Sequence, residues 1–216
     1  MEKMKLFAGI LVLGSLWGFS ECIIGSSLYD AGLPAGAIMT GLFALMFMTM
    51  SRMLFRQRGM QLGMGLVAGT LRLLNPFGGC FICSAIAIMA EGLLFEIIWY
   101  NLSLDLKELR LPKLSVSMGI TSAYLIYVGG FIVTQILTPV FSSAGFYIEN
   151  LLVFIPQILA SGLLAAIIGG ITVPAVLAIK KLDLSIKDRL YYPTTIGISV
   201  MCWFIVIANT IIILYA

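Results

Sequence analysis

Apolar residues run in blocks of roughly 20 along the whole chain, broken by short stretches rich in charge or in Pro, Gly, Asn and Ser. Wound as a helix rising about 1.5 Å per residue, a block of that length crosses a hydrocarbon core of about 30 Å. Breaking the chain at charges and helix breakers predicts seven helices, over roughly 5–26, 34–54, 59–76, 80–100, 114–138, 151–179 and 192–215. The third is short and the sixth long. The pattern therefore predicts an all-α integral membrane helical bundle with 6–7 transmembrane helices, a single transmembrane domain spanning 1–216. The first block starts at Leu6 behind Lys3 and Lys5. It has no small-x-small cleavage site followed by a polar region, so it reads as a retained span rather than a signal peptide.

Composition agrees: 61% of the residues are hydrophobic and 11% charged, against about 45–50% and about 25% in soluble domains. The placement of charge adds an orientation. Lys3 and Lys5 precede the first span, and Arg52, Arg56 and Arg58 join the second to the third. Lys107, Arg110 and Lys113 join the fourth to the fifth, and Lys180, Lys181, Lys187 and Arg189 the sixth to the seventh. All fall on one side of an alternating topology, whereas YDAGLP, NPFGG and TPVFSSAGFYIEN carry no basic residue. The positive-inside rule then predicts a cytoplasmic N-terminus and a multi-pass protein of the cell (plasma) membrane. Nothing resembles a nucleic-acid-binding stripe, and the expected surroundings are the lipid bilayer.

Of the 13 basic residues only Arg72 lies inside a span. It shares the outer half of the membrane with Glu21 on the first span, and Glu91 lies near mid-membrane, about 15 Å down the fourth from Cys80 or Phe81. A charge at mid-bilayer costs at least about 2.5–3.5 kcal/mol, so such residues face the bundle interior and mark a site. Two readings stand: a buried ion pair of Arg72 with Glu91 or Glu21, or a pocket open to the outside. Two carboxylates for one guanidinium favour the pocket. Asn75, before Pro76, lies at the same level, and Trp17 is too deep for an interfacial belt and is a candidate pocket wall. Tyr29 suits the outer belt, and Glu96, nearer the cytoplasmic end, suits a structural or partner contact.

Cys80 and Cys83 form a CxxC at the start of the fourth span, a spacing that suits packing, pocket lining or redox chemistry. A membrane thiol oxidoreductase would need a second exposed pair, and Cys22 is the one other candidate on that side. The chain has no histidine, which removes the commonest general base and metal ligand. No catalytic residue, metal site or cofactor is expected, and no GxxxxGK[ST] phosphate loop is present, so ATP hydrolysis would need a partner. Met39, Met46, Met48, Met50 and Met53 are spread around the second helix and read as packing. Gly14 and Gly18, like Gly65 and Gly69, form small-xxx-small patterns for close helix approach, and the first-span pair suits docking of another membrane protein equally. A stand-alone secondary transporter is a further alternative, although no repeat between halves supports it.

LWGFSE at 16–21, DAGLPAGAIMTG at 30–41, LRLLNPFGG at 71–79 and MAEGLLFE at 89–96, within about 200 residues of packed spans, are similar to the substrate-binding S components of energy-coupling factor (ECF) transporters. That resemblance implies a non-enzymatic subunit that captures a vitamin or similar organic micronutrient from outside. It implies as partners an ECF transmembrane coupling subunit and ABC ATPases. Gly14 and Gly18 would belong to the docking face, the 27–34 loop would be a lid, and Trp17, Glu21, Arg72, Asn75, Cys80 and Glu91 would line the pocket. The cobalt and nickel branch of that family coordinates metal through histidine, so the missing histidine favours an organic cargo.

Overall fold

The computed structural model describes residues 2–77, 80–101, 111–142, 148–179 and 188–215. Among these, every regular element is helical. Helix α1 runs Glu2–Ser20, continues through a π-helical segment Glu21–Gly25 and ends with Ser26–Asp30; α2 is built likewise from Ala35–Ile38, a π segment Met39–Ala44 and Leu45–Phe55. The others are α3 (Met60–Leu73), α4 (Phe81–Asn101), α5 (Pro112–Ser142), α6 (Ile148–Leu177) and α7 (Asp188–Tyr215).

All seven expected helices are present, and six of them, all but α3, are long and apolar enough to cross a membrane. Their ends follow local chemistry. Helix α1 overruns its expected end because nothing breaks it before Gly32, whose φ of 71° is left-handed, and Pro34. The α2–α3 turn uses two further left-handed residues, Arg56 (φ 50°) and Gly59 (φ 85°). Helix α3 stops three residues short of the expected 76, at Leu73, because Asn75 precedes a proline and is pushed out of the helical region. With 14 residues it reaches about 21 Å, less than a bilayer core. Lys107, Arg110, Lys180, Lys181, Lys187, Gly78 and Gly79 lie outside the described residues.

Six helices close into a ring in the spatial order α1, α3, α4, α5, α6, α2, with α2 returning to α1. Helix α7 lies outside the ring against α1, held by Tyr191 Oη donating to the Lys5 carbonyl at 3.0 Å and Trp203 Nε1 donating to Ser15 Oγ at 3.0 Å. The ring is filled by Trp17, Leu45, Met48, Met64, Phe95 and Ile126, all buried; of the methionines on α2, Met48 and Met53 pack in or against this core, whereas Met39 lines the cavity described below.

Lipid tails are as apolar as leucine, so helices in a bilayer gain by close approach rather than by burial from water. Glycines sit at the ring's contacts accordingly. A Cβ on Gly14 would lie 2.8 Å from Val67 Cβ and 2.9 Å from the Met64 carbonyl; one on Gly18 would lie 2.9 Å from Ala68 Cα. Both therefore face α3. The docking role inferred for Gly14 and Gly18 is corrected here: that face is covered within the chain. Gly65 meets Gly92 across α3 and α4, and Gly119 meets Gly169 across α5 and α6.

At the N-terminal end of the bundle, Glu96 of α4 accepts from the backbone N–H groups of Gly59 and Leu62, the latter at 3.2 Å. It thereby caps the start of α3 in place of a side chain of its own. Arg52 and Arg58 approach the Tyr100 ring at 3.9 and 5.8 Å beside it. Glu96 is a structural residue.

Candidate functional site

A cavity of about 430 Å³ opens at the opposite end of the bundle, among α1, α2, α3, α4 and α5. Its rim is exposed at Tyr29 and Cys80, and its floor is buried at Thr40 and Glu91. Glu21, Arg72, Cys80 and Glu91 all line it, so the charged residues singled out along the sequence do converge. They come from three helices. Glu21 and Thr40 each belong to a π-helical segment, a local widening that re-aims side chains and recurs at functional sites.

The carboxylates have different settings. Glu21 Oε1 accepts from Trp17 Nε1 at 3.1 Å, one turn earlier on α1. Glu91 Oε1 accepts from Thr40 Oγ1 at 2.6 Å. Glu91 Oε2 is buried and has no hydrogen-bond partner, although only 6% of the residue is exposed. An unsatisfied buried acceptor costs about 1–3 kcal/mol, more when charged, so such an atom calls for an explanation. Glycines border both groups: a Cβ on Gly130 would crowd Glu91 Cγ at 3.3 Å, and one on Gly25 would touch Glu21 Oε2 at an ordinary 3.5 Å.

Arg72 is turned toward the end of its own helix. Its NH1 donates to the Asn75 carbonyl at 2.8 Å and its NH2 to the Phe77 carbonyl at 2.7 Å. It thus satisfies carbonyls left open where proline ends α3. The Arg72–Glu91 pair considered from sequence does not form, because Glu91 bonds Thr40 instead. Arg72 and Glu21 face the same cavity.

Two residues expected in the wall stand behind it. Trp17 is fully buried and acts by orienting Glu21. Asn75 is buried and ties the end of α3 to α1, its Nδ2 donating to the Cys22 carbonyl at 3.2 Å while its Oδ1 accepts from Phe77 N at 3.1 Å. Both are corrected from lining to positioning residues. Conversely, Thr40, Tyr127, Phe131, Thr134 and Gln135 line the cavity and carry no mark along the sequence, being single uncharged residues in apolar runs. Tyr29, expected in an interfacial belt, stands at the rim and is 55% exposed.

Cys80 and Cys83 also line the cavity, joined as a disulfide with Cα atoms 5.3 Å apart. Cys22 and Cys202 are free and buried, and Cys22 Sγ is 3.7 Å from the Leu71 carbonyl. Among the described residues no group of three or more His, Cys, Asp or Glu could hold a metal ion.

Compared with protein-family models, curated proteins and solved structures, the chain matches none.

Proposed function

We propose that this protein is a membrane-embedded substrate-binding subunit, of the S-component type, in an ECF-like importer of a vitamin or similar organic micronutrient. The observation that carries the reading is the cavity at one end of the helical ring, with a buried, unpartnered carboxylate oxygen at its floor. Its volume of about 430 Å³ falls within the ~300–1,000 Å³ of small-molecule sites. On this reading the N-terminus and the arginine-bearing turn after α2 are cytoplasmic, by the positive-inside rule, and the cavity faces outward. The segment 27–34 closes over the cargo. Energy comes from a transmembrane coupling subunit and ABC ATPases. Those partners would meet a surface other than Gly14 and Gly18.

A second reading, a membrane thiol oxidoreductase, draws on the Cys80–Cys83 disulfide in the cavity wall. Relay of electrons needs a second reachable thiol pair, whereas Cys22 and Cys202 are separately buried, so binding is the stronger reading. Affinity purification from the native membrane, read by native mass spectrometry of intact assemblies, tests the importer. A complex with a second membrane subunit and ATPases is expected. The chain alone in every preparation would remove the importer module.

A further inference from the structure

The cavity lining holds two carboxylates, Glu21 and Glu91, against one guanidinium, Arg72. Among its polar side chains, Arg72 gives its guanidinium to the carbonyls of Asn75 and Phe77. Ser84 Oγ donates to the Cys80 carbonyl at 3.1 Å, and Thr134 Oγ1 to the Gly130 carbonyl at 2.8 Å. The Thr40 hydroxyl is committed to Glu91 Oε1. Against these stand two carboxylates in the same lining, with Glu91 Oε2 buried and lacking any donor. A ligand that brings another carboxylate or phosphate would meet two carboxylates against one guanidinium that already serves two carbonyls. A ligand that brings positively charged N–H groups would satisfy the orphan oxygen. The aromatic walls, Tyr29, Tyr127 and Phe131, suit a cation as well, since ring faces attract positive charge.

We propose that the cargo is a small organic cation, an amine, amidine or protonated ring nitrogen, whose N–H groups bond Glu91 Oε2 and Glu21 while its apolar body packs against Phe131, Tyr127 and Met39. This rests on the binding reading above and narrows it. One orphaned carboxylate oxygen on one side and aromatic faces on the other also set the shape: the charged end enters first and lies deepest, next to Thr40.

Phenethylamine and agmatine, with 3-phenylpropionate and 3-phenylpropanol as the anionic and neutral counterparts, are suitable millimolar probes. Binding to the full chain in detergent is followed by calorimetry and by unfolding temperature. The amines are expected to bind and raise the unfolding temperature, and the acid and alcohol are not. Glu91→Gln should weaken amine binding by about ten-fold or more, the loss of one charge-assisted hydrogen bond. It should still fold, because its amide oxygen can keep accepting from Thr40. Glu21→Gln, a second variant, should weaken it too.

Equal binding of the acid or alcohol would overturn the cation assignment while leaving the cavity a binding site. Amine binding unchanged in both Glu91→Gln and Glu21→Gln would overturn it as well. No binding by any probe also overturns it, and the binding reading itself is then decided separately by what copurifies with the protein.

Discussion

Gly119→Ala offers a test of the ring at the α5–α6 seam. The added Cβ would lie 2.2 Å from the Gly169 carbonyl oxygen and 2.9 Å from its carbon. Ordinary contact begins near 3.4 Å, so the helices must part by roughly 1 Å. The obstacle is backbone, which cannot swing aside as a side chain would, so the cost falls in the upper part of the ~1–3 kcal/mol typical of overpacking. Alanine returns up to about 1 kcal/mol of helix propensity. The net loss is therefore about 1–2 kcal/mol, or a fall in Tm of roughly 2–8 °C for a chain of this size. Gly197→Ala on α7 is the matched control, because a Cβ there meets nothing within 4 Å; its Tm should be unchanged or slightly raised. Scanning fluorimetry in detergent reads both. A Gly119→Ala protein as stable as Gly197→Ala would refute the close α5–α6 approach.

Glu96→Ala should lower stability by about 1–2 kcal/mol, measured the same way, because two backbone N–H groups at the start of α3 lose their acceptor; ligand binding at the far end of the bundle should persist. In the folded protein a maleimide should label no cysteine before reduction and Cys80 and Cys83 after it, with Cys22 and Cys202 reacting only on unfolding. Labelling of Cys22 or Cys202 in the folded state, read by mass spectrometry, would contradict their burial.

The helices were legible because lipid imposes long apolar blocks and the breakers between them are chemically distinct: Gly32 with Pro34, Gly59, and Asn75 with Pro76. Charge marked the site for the same reason. Glu21, Arg72 and Glu91 are too costly inside a span to lie there without purpose, and all three do line one cavity. What the sequence hid is what depends on the rotation of one helix against another. Gly14 and Gly18 carry a small-residue pattern that reads alike whether α3 or a partner protein covers it. The π-helical segments that aim Glu21 and Thr40 depend on how one turn is packed, not on a residue signature. Trp17 and Asn75 belong to the site through Glu21 and Arg72, a relation that only the hydrogen bonds reveal.

The central claim, that the cavity holds a small molecule, is tested most directly by what the protein carries out of its own membrane. Native mass spectrometry of the chain in mild detergent should be compared with an Ala87→Trp variant, in which an indole fills the cavity beside Glu91. The account predicts one small organic molecule per native chain, positively charged when released, and a bare variant chain that still folds. A native chain that is bare, or a variant that keeps the same adduct, would contradict it.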